Sequence, residues 1–244
     1  MNSIKKELYE MLNSFDVSPS KEYKKCIEKY LTSDLSFTSD LMSGLAKTIF
    51  QSKKMMAYYL LHNSIDEAKG AARLRMIAGR YADEELKQKM MRHYYDEMNH
   101  SKMFASLIPL TGFEAEPYHD GVAEEIDKIL DFDDNIKTFI FRVHSIEVRS
   151  WRLLLLHLKI IDESNAEYME EMRPTIQRIL EDEMRHVSYT ASYVSQWLHE
   201  DPELSNTFIE CITHTNKETW EDLSSMAGFM RDNVQELMRE ADLV

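Results

Sequence analysis

Two five-residue words in this chain carry the same chemistry: Asp96-Glu97-Met98-Asn99-His100 and Asp182-Glu183-Met184-Arg185-His186. A glutamate and a histidine three residues apart on a helix share a face about one turn from each other, so each pair can grip a cation from one side. Neither pair sits on a solvated stripe. Glu97 and His100 continue the line of Met90 and Phe104, while Glu183 and His186 share the line of Ile176, Ile179 and Thr190. Directed inward, an uncompensated carboxylate is very costly. Two further acids interrupt apolar stripes in the same way: Glu67 among Leu60, Ala71 and Leu74, and Glu147 among Ile140, Val143, Trp151 and Leu154. Four carboxylates and two imidazoles form a ligand set for two hard-to-borderline divalent cations, whose charge cancels that of the carboxylates.

Helices must bring these residues to one level. Apolar spacing of three and four predicts a helix over about 51–81, a second from after Asp83 to about 109, and a third tracing Ile136 to Leu158. A fourth follows Pro174, placed in its first turn, and runs to about His199. Between the second and third lies the Gly112–Gly121 stretch with Pro117, followed by a short acidic segment. Measured from the turn at Ala82, Glu67 stands 15 positions back and Glu97 15 positions on. Measured from Asn165, Glu147 and Glu183 are each 18 away, although Pro174 can lengthen that connection. Ser64-x-x-Glu67 also reads as a capping box, which would place Glu67 in the first turn of a shorter helix.

This pattern resembles the ferritin-like di-iron carboxylate superfamily, in which a glutamate is followed after about 30 residues by (D)E-x-x-H, twice over. Here the gaps are 28 residues from Glu67 to Asp96 and 34 from Glu147 to Asp182. The resemblance covers about 51–199 and implies a ferritin-like four-helix bundle; chain length favours a single domain spanning 1–244, in which 1–50 and 202–240 read as additional N- and C-terminal amphipathic helices. It implies two iron ions, with a Mn/Fe pair left open, Glu67 and Glu147 as terminal ligands, Glu97 and Glu183 as bridges, and one imidazole per iron from His100 and His186. It further implies an O2-activating oxygenase or oxidase with an external electron donor and a small organic substrate, through hydroxylation, N-oxygenation or aldehyde-type oxidation.

Around the ligands stand four candidates for supporting roles. Asp96 and Asp182 resemble the superfamily's acids that orient the ligand histidine of the opposite half; the alternative is a solvated acid on a solvated face. In p-aminobenzoate N-oxygenase-like proteins, the nearest in pattern, an extra histidine ligand precedes the second motif's glutamate by four residues. This chain has Ile179 there and instead carries His93 four before Glu97. His93, and His144 three before Glu147, read as packed or supporting histidines or as additional ligands. Tyr94 and Tyr189 lie a turn from ligands but read as core in a chain with 12 tyrosines.

Composition narrows the class. Six Gly and five Pro in 244 residues favour an all-α fold. Cys26 and Cys211 form no C-x-x-C pair, which excludes a rubredoxin-type iron site or a zinc knuckle built from this chain. A net charge of −14 argues against nucleic acid. The N-terminus lacks a signal-like apolar stretch and no run is long enough to span a bilayer, so a cytoplasmic protein that does not engage membranes is expected, and a homodimer is compatible with this reading. The alternative function is iron storage or peroxide detoxification of ferritin or rubrerythrin type.

Overall fold

The computed structural model describes residues 3–30, 39–114 and 135–240, which are all-helical, with no strand among them. The helices are α1 (Ser3–Ser14), α2 (Lys21–Tyr30), α3 (Asp40–Gln51), α4 (Lys53–Tyr81), α5 (Glu84–Leu107), α6 (Ile136–Asp162), α7 (Glu167–Glu200), α8 (Ser205–Asp232) and α9 (Val234–Glu240), with short 3-10 turns at Ile108–Thr111 and Pro202–Leu204. The expected acidic segment after Gly121 lies outside the described residues. No described helix is long and apolar enough to cross a membrane.

Local chemistry sets the boundaries. Ser52 caps α4 by accepting the Met55 amide, and Asp83 caps α5 by accepting the Leu86 amide, which satisfies donors that a helix start leaves open. The turn after α5 closes on Gly112 at φ +84, a left-handed conformation that glycine adopts without a Cβ clash. Ser64 lies inside α4 rather than at its start, so the capping-box alternative for Glu67 does not apply; its hydroxyl instead donates to the Ser101 carbonyl at 2.8 Å.

Pro174 departs from the expected position: α7 begins at Glu167, and Pro174 lies within the helix. An interior proline costs roughly 3 kcal/mol. The seven residues before it supply Met169 and Met172, which are 4 % and 1 % exposed and extend the apolar line of Ile176 and Ile179. Burying two methionines is worth about 1.5–3 kcal/mol each, enough to hold the helix through the proline. The lost hydrogen bond falls on the Glu170 carbonyl at an exposed position, where water can accept the role.

The chain divides into two compact units. The first comprises Met1–Leu45, Lys137–His157 and Leu180–Asp232. Its core gathers Leu8, Leu12, Tyr23, Phe141, Val194 and Phe208, with α2 packed on α8 and the Phe141 and Phe208 rings 5.3 Å apart. The second comprises Ala46–Ile136, Leu158–Ile179 and Asn233–Val244. There α4 and α5 pack closely along their length, with Leu60, Ala71, Ile77, Leu86 and Met90 buried, and the Ser64–Ser101 pair bracing them. Small side chains on α4, Ser64, Ala68, Ala71 and Ala78, allow that close approach.

Candidate metal centre

In the second unit, α4 contributes Glu67 and α5 contributes Glu97 and His100. Each offers a ligand atom within 4.8 Å of the others. Glu97 and His100 are 5 % and 0 % exposed, whereas Glu67 is half-buried. The Oε2 atom of Glu97 lies 3.8 Å from His100 Nδ1. Its other oxygen accepts a 2.8 Å hydrogen bond from His93 Nε2, which must be the donor because an ionised carboxylate only accepts. His93 is itself buried.

In the first unit, α6 contributes Glu147 and α7 contributes Glu183 and His186, all three buried. His186 Nδ1 stands 3.4 Å from Glu183 Oε2 and 3.8 Å from Glu147 Oε2. The six sequence-predicted ligands thus fall into two triads of identical composition, one per unit. Buried clusters of this kind could hold a metal ion, and the donors, carboxylate oxygen and imidazole nitrogen, fit iron, manganese or zinc.

The supporting residues differ between the units. His144 makes a 2.9 Å hydrogen bond at each ring nitrogen, Nε2 to Tyr23 Oη and Nδ1 to Thr190 Oγ1. Thr190 commits its one proton to main-chain carbonyls of α7, at 2.7 Å from that of His186 and 3.1 Å from that of Val187. Its oxygen therefore accepts from Nδ1–H, and the neutral ring accepts the Tyr23 phenol proton at Nε2. With both nitrogens engaged, His144 has none left for a cation. Burial lowers its pKa to about 3 and that of buried His157 to about 4, and it raises the Tyr23 phenol well above its usual value. Asp182 is buried and ion-paired with Arg185 one turn along α7; Asp96 is half-buried.

Sequence reasoning missed Tyr23, Thr190 and Arg185. An acid and an arginine at i and i+3 are a readable signal for the last. Tyr23 lies 121 residues from His144, and nothing in its surroundings announces the contact. Tyr189 and Tyr94 are both half-buried, and Tyr94 sits under the Arg75 guanidinium at 5.8 Å. Cys26 and Cys211 are free thiols, both buried. No protein-family model, curated protein or solved structure matches this chain significantly.

Proposed function

We propose that this chain is a non-haem di-iron protein of ferritin-like architecture that activates O2 to oxidise a small organic substrate, with both triads serving one pair of iron ions. The observation that carries this reading is the repetition: a lone glutamate on one long helix and an E-x-x-H pair on the next occur twice, with five of the six side chains buried. Carboxylates in apolar surroundings need compensating charge, and divalent cations supply it. Glu67 and Glu147 would hold one iron each, Glu97 and Glu183 would bridge, and His100 and His186 would each add a nitrogen. The bound iron pair supplies one- and two-electron chemistry with O2, with reducing equivalents from an external donor.

The chain's own residues do the positioning. His93 fixes the Glu97 carboxylate rotamer through its Oε1 atom, leaving Oε2 on the His100 side. Main-chain hydrogen bonding through Thr190 ties the turn bearing His186 to His144 and Tyr23. Buried side chains around each triad exclude water, which strengthens every charge interaction there.

Anaerobic loading with Fe(II), followed by O2 and candidate substrates, tests the proposal. The expected result is about two irons retained per chain and O2 uptake proportional to substrate. Retention near zero would end the di-iron reading. Assembly into a shell that accumulates mineral would replace the oxygenase with a storage protein.

A further inference from the structure

Away from the triads, α4 and α5 leave an open cleft of about 530 Å³ whose lining includes Arg75, Met76, Gly79, Arg80, Tyr94 and Met98. That volume suits a small molecule. Its walls are apolar or aromatic, and among the described residues its only charged lining groups are the two guanidiniums, with no carboxylate. This is unusual in a chain with 43 acidic and 29 basic residues. Several arginines elsewhere find acids: Arg142 pairs with Glu218, Arg149 with Asp222, Arg152 with Glu7 and Arg173 with Asp162. Among the described residues Arg75 and Arg80 make no ion pair, and Arg75 instead lies over the Tyr94 ring. A guanidinium stacked on an aromatic face keeps its edge donors available and roughly fixed in direction.

Gly79 adds room. A Cβ built there would meet nothing within 4 Å, so neighbouring side chains do not require a glycine and the cleft is deeper for it. Two methionines, Met76 and Met98, give its walls an adaptable apolar surface.

We propose that this cleft binds a small apolar monocarboxylate, whose carboxylate takes Arg75 and Arg80 and whose hydrocarbon or aryl body lies against Tyr94, Met76 and Met98. The planar two-oxygen head matches the guanidinium fork, and a free inorganic anion would leave the apolar walls unused. The inference does not rest on the di-iron reading, because none of these residues belongs to either triad.

The test is a titration of the full chain, its methionine methyls labelled with carbon-13, with three probes: 4-phenylbutyrate, 4-phenylbutanol and inorganic phosphate. The expected result is saturable binding of 4-phenylbutyrate that shifts the Met76 and Met98 methyl signals, at least tenfold weaker binding of the alcohol, and no competition by phosphate. Gly79→Leu fills the cleft without touching charge and suits a helix better than glycine does; it should weaken 4-phenylbutyrate at least tenfold. Arg75→Gln with Arg80→Gln should bring the acid down to the affinity of the alcohol. Failure of 4-phenylbutyrate to bind, parental affinity in either the Gly79→Leu or the double-arginine variant, or full competition by phosphate would each overturn the proposal. Iron retention measured on the same variants should match the parent chain, so failure here and failure of the metal reading are separable.

Discussion

The two triads have the same ligands but different supports. In the second unit, a histidine one turn back, His93, bonds directly to the Glu97 carboxylate, and the acid preceding that glutamate, Asp96, is half-buried. For the other triad, the position four before Glu183 is the apolar Ile179, the supporting histidine is His144, and it acts through Thr190 on the backbone at His186; the preceding acid, Asp182, is buried against Arg185. One support constrains a ligand oxygen, the other a helix turn. Repetition of a ligand word therefore does not make two halves equivalent: their tolerance to substitution should differ according to what holds each ligand.

The largest effects should come from the ligands themselves. Glu97→Ala and Glu183→Ala should each abolish retention of the metal pair, leaving about one ion or none per chain after gel filtration, because on the proposed reading each removes a carboxylate shared by both ions. Glu67→Ala and Glu147→Ala should separate the halves. Glu67 is half-buried, so water can occupy its place, whereas Glu147 is 6 % exposed and its loss leaves a sealed gap. Metal counts by elemental analysis should accordingly be higher for Glu67→Ala than for Glu147→Ala. Full metal retention in both bridge variants would remove the basis for the shared pair.

Acid should distinguish the units next. His144 and His157, both in the first unit, titrate in the fold at about 3 and about 4 because burial disfavours their charged forms. Their usual value is 6.5, so between these limits the unfolded chain binds protons that the folded one refuses. Stability from these neutral imidazoles is fully present above 6.5 and is lost as pH falls through the window, at up to roughly 1.4 kcal/mol per pH unit for each ring. Urea unfolding of metal-free protein at intervals from pH 7 to 4 measures the slope. His144→Gln, which cannot take the proton, should flatten it by about one proton. An unchanged slope would mean that this ring is not neutral in the fold.

Much of this was legible in the sequence because helices write periodicity into it. The all-α class followed from composition and from stripes at spacing three and four; α4, α5 and α6 begin and end within a few residues of where those stripes do. Candidate ligands were visible as polar residues on apolar lines, a local contradiction that a cation can resolve. Pro174 lies inside its helix and not in a first turn because the Met169, Met172, Ile176 stripe that runs through it outweighs the proline's own preference. The Tyr23–His144–Thr190 chain and the α4–α5 cleft were not legible, since both depend on which faces meet in space rather than on any repeat along one strand of sequence.

The smallest and most discriminating comparison concerns the two acids. The superfamily resemblance assigns Asp96 to His186 and Asp182 to His100, each fixing the ring nitrogen that leaves the other free for metal. An acid and a histidine four residues apart on one helix can also meet, as His62 and Asp66 do at 3.3 Å, so the variants must separate crossing from same-helix pairing. Asp182 also pairs with Arg185, whose side chain is 26 % exposed, and is itself buried where Asp96 is half-buried, so its removal disturbs a second charge in a drier place. Asp182→Asn should therefore lower iron affinity by ~10 to 100-fold, the usual range for partners behind a ligand, and Asp96→Asn should lower it less. Arg185→Gln separates the two causes: if it reproduces the Asp182→Asn loss, charge balance with the arginine is responsible, and if it leaves affinity intact, the histidine is. Nitrogen-15 shifts of the His100 and His186 rings give an independent readout, because losing an acid partner should mix the tautomers of the histidine it serves. Should both asparagine variants keep parental affinity and unmixed tautomers, the two acids belong to the electrostatics of their own helices and the resemblance ends at the six ligands.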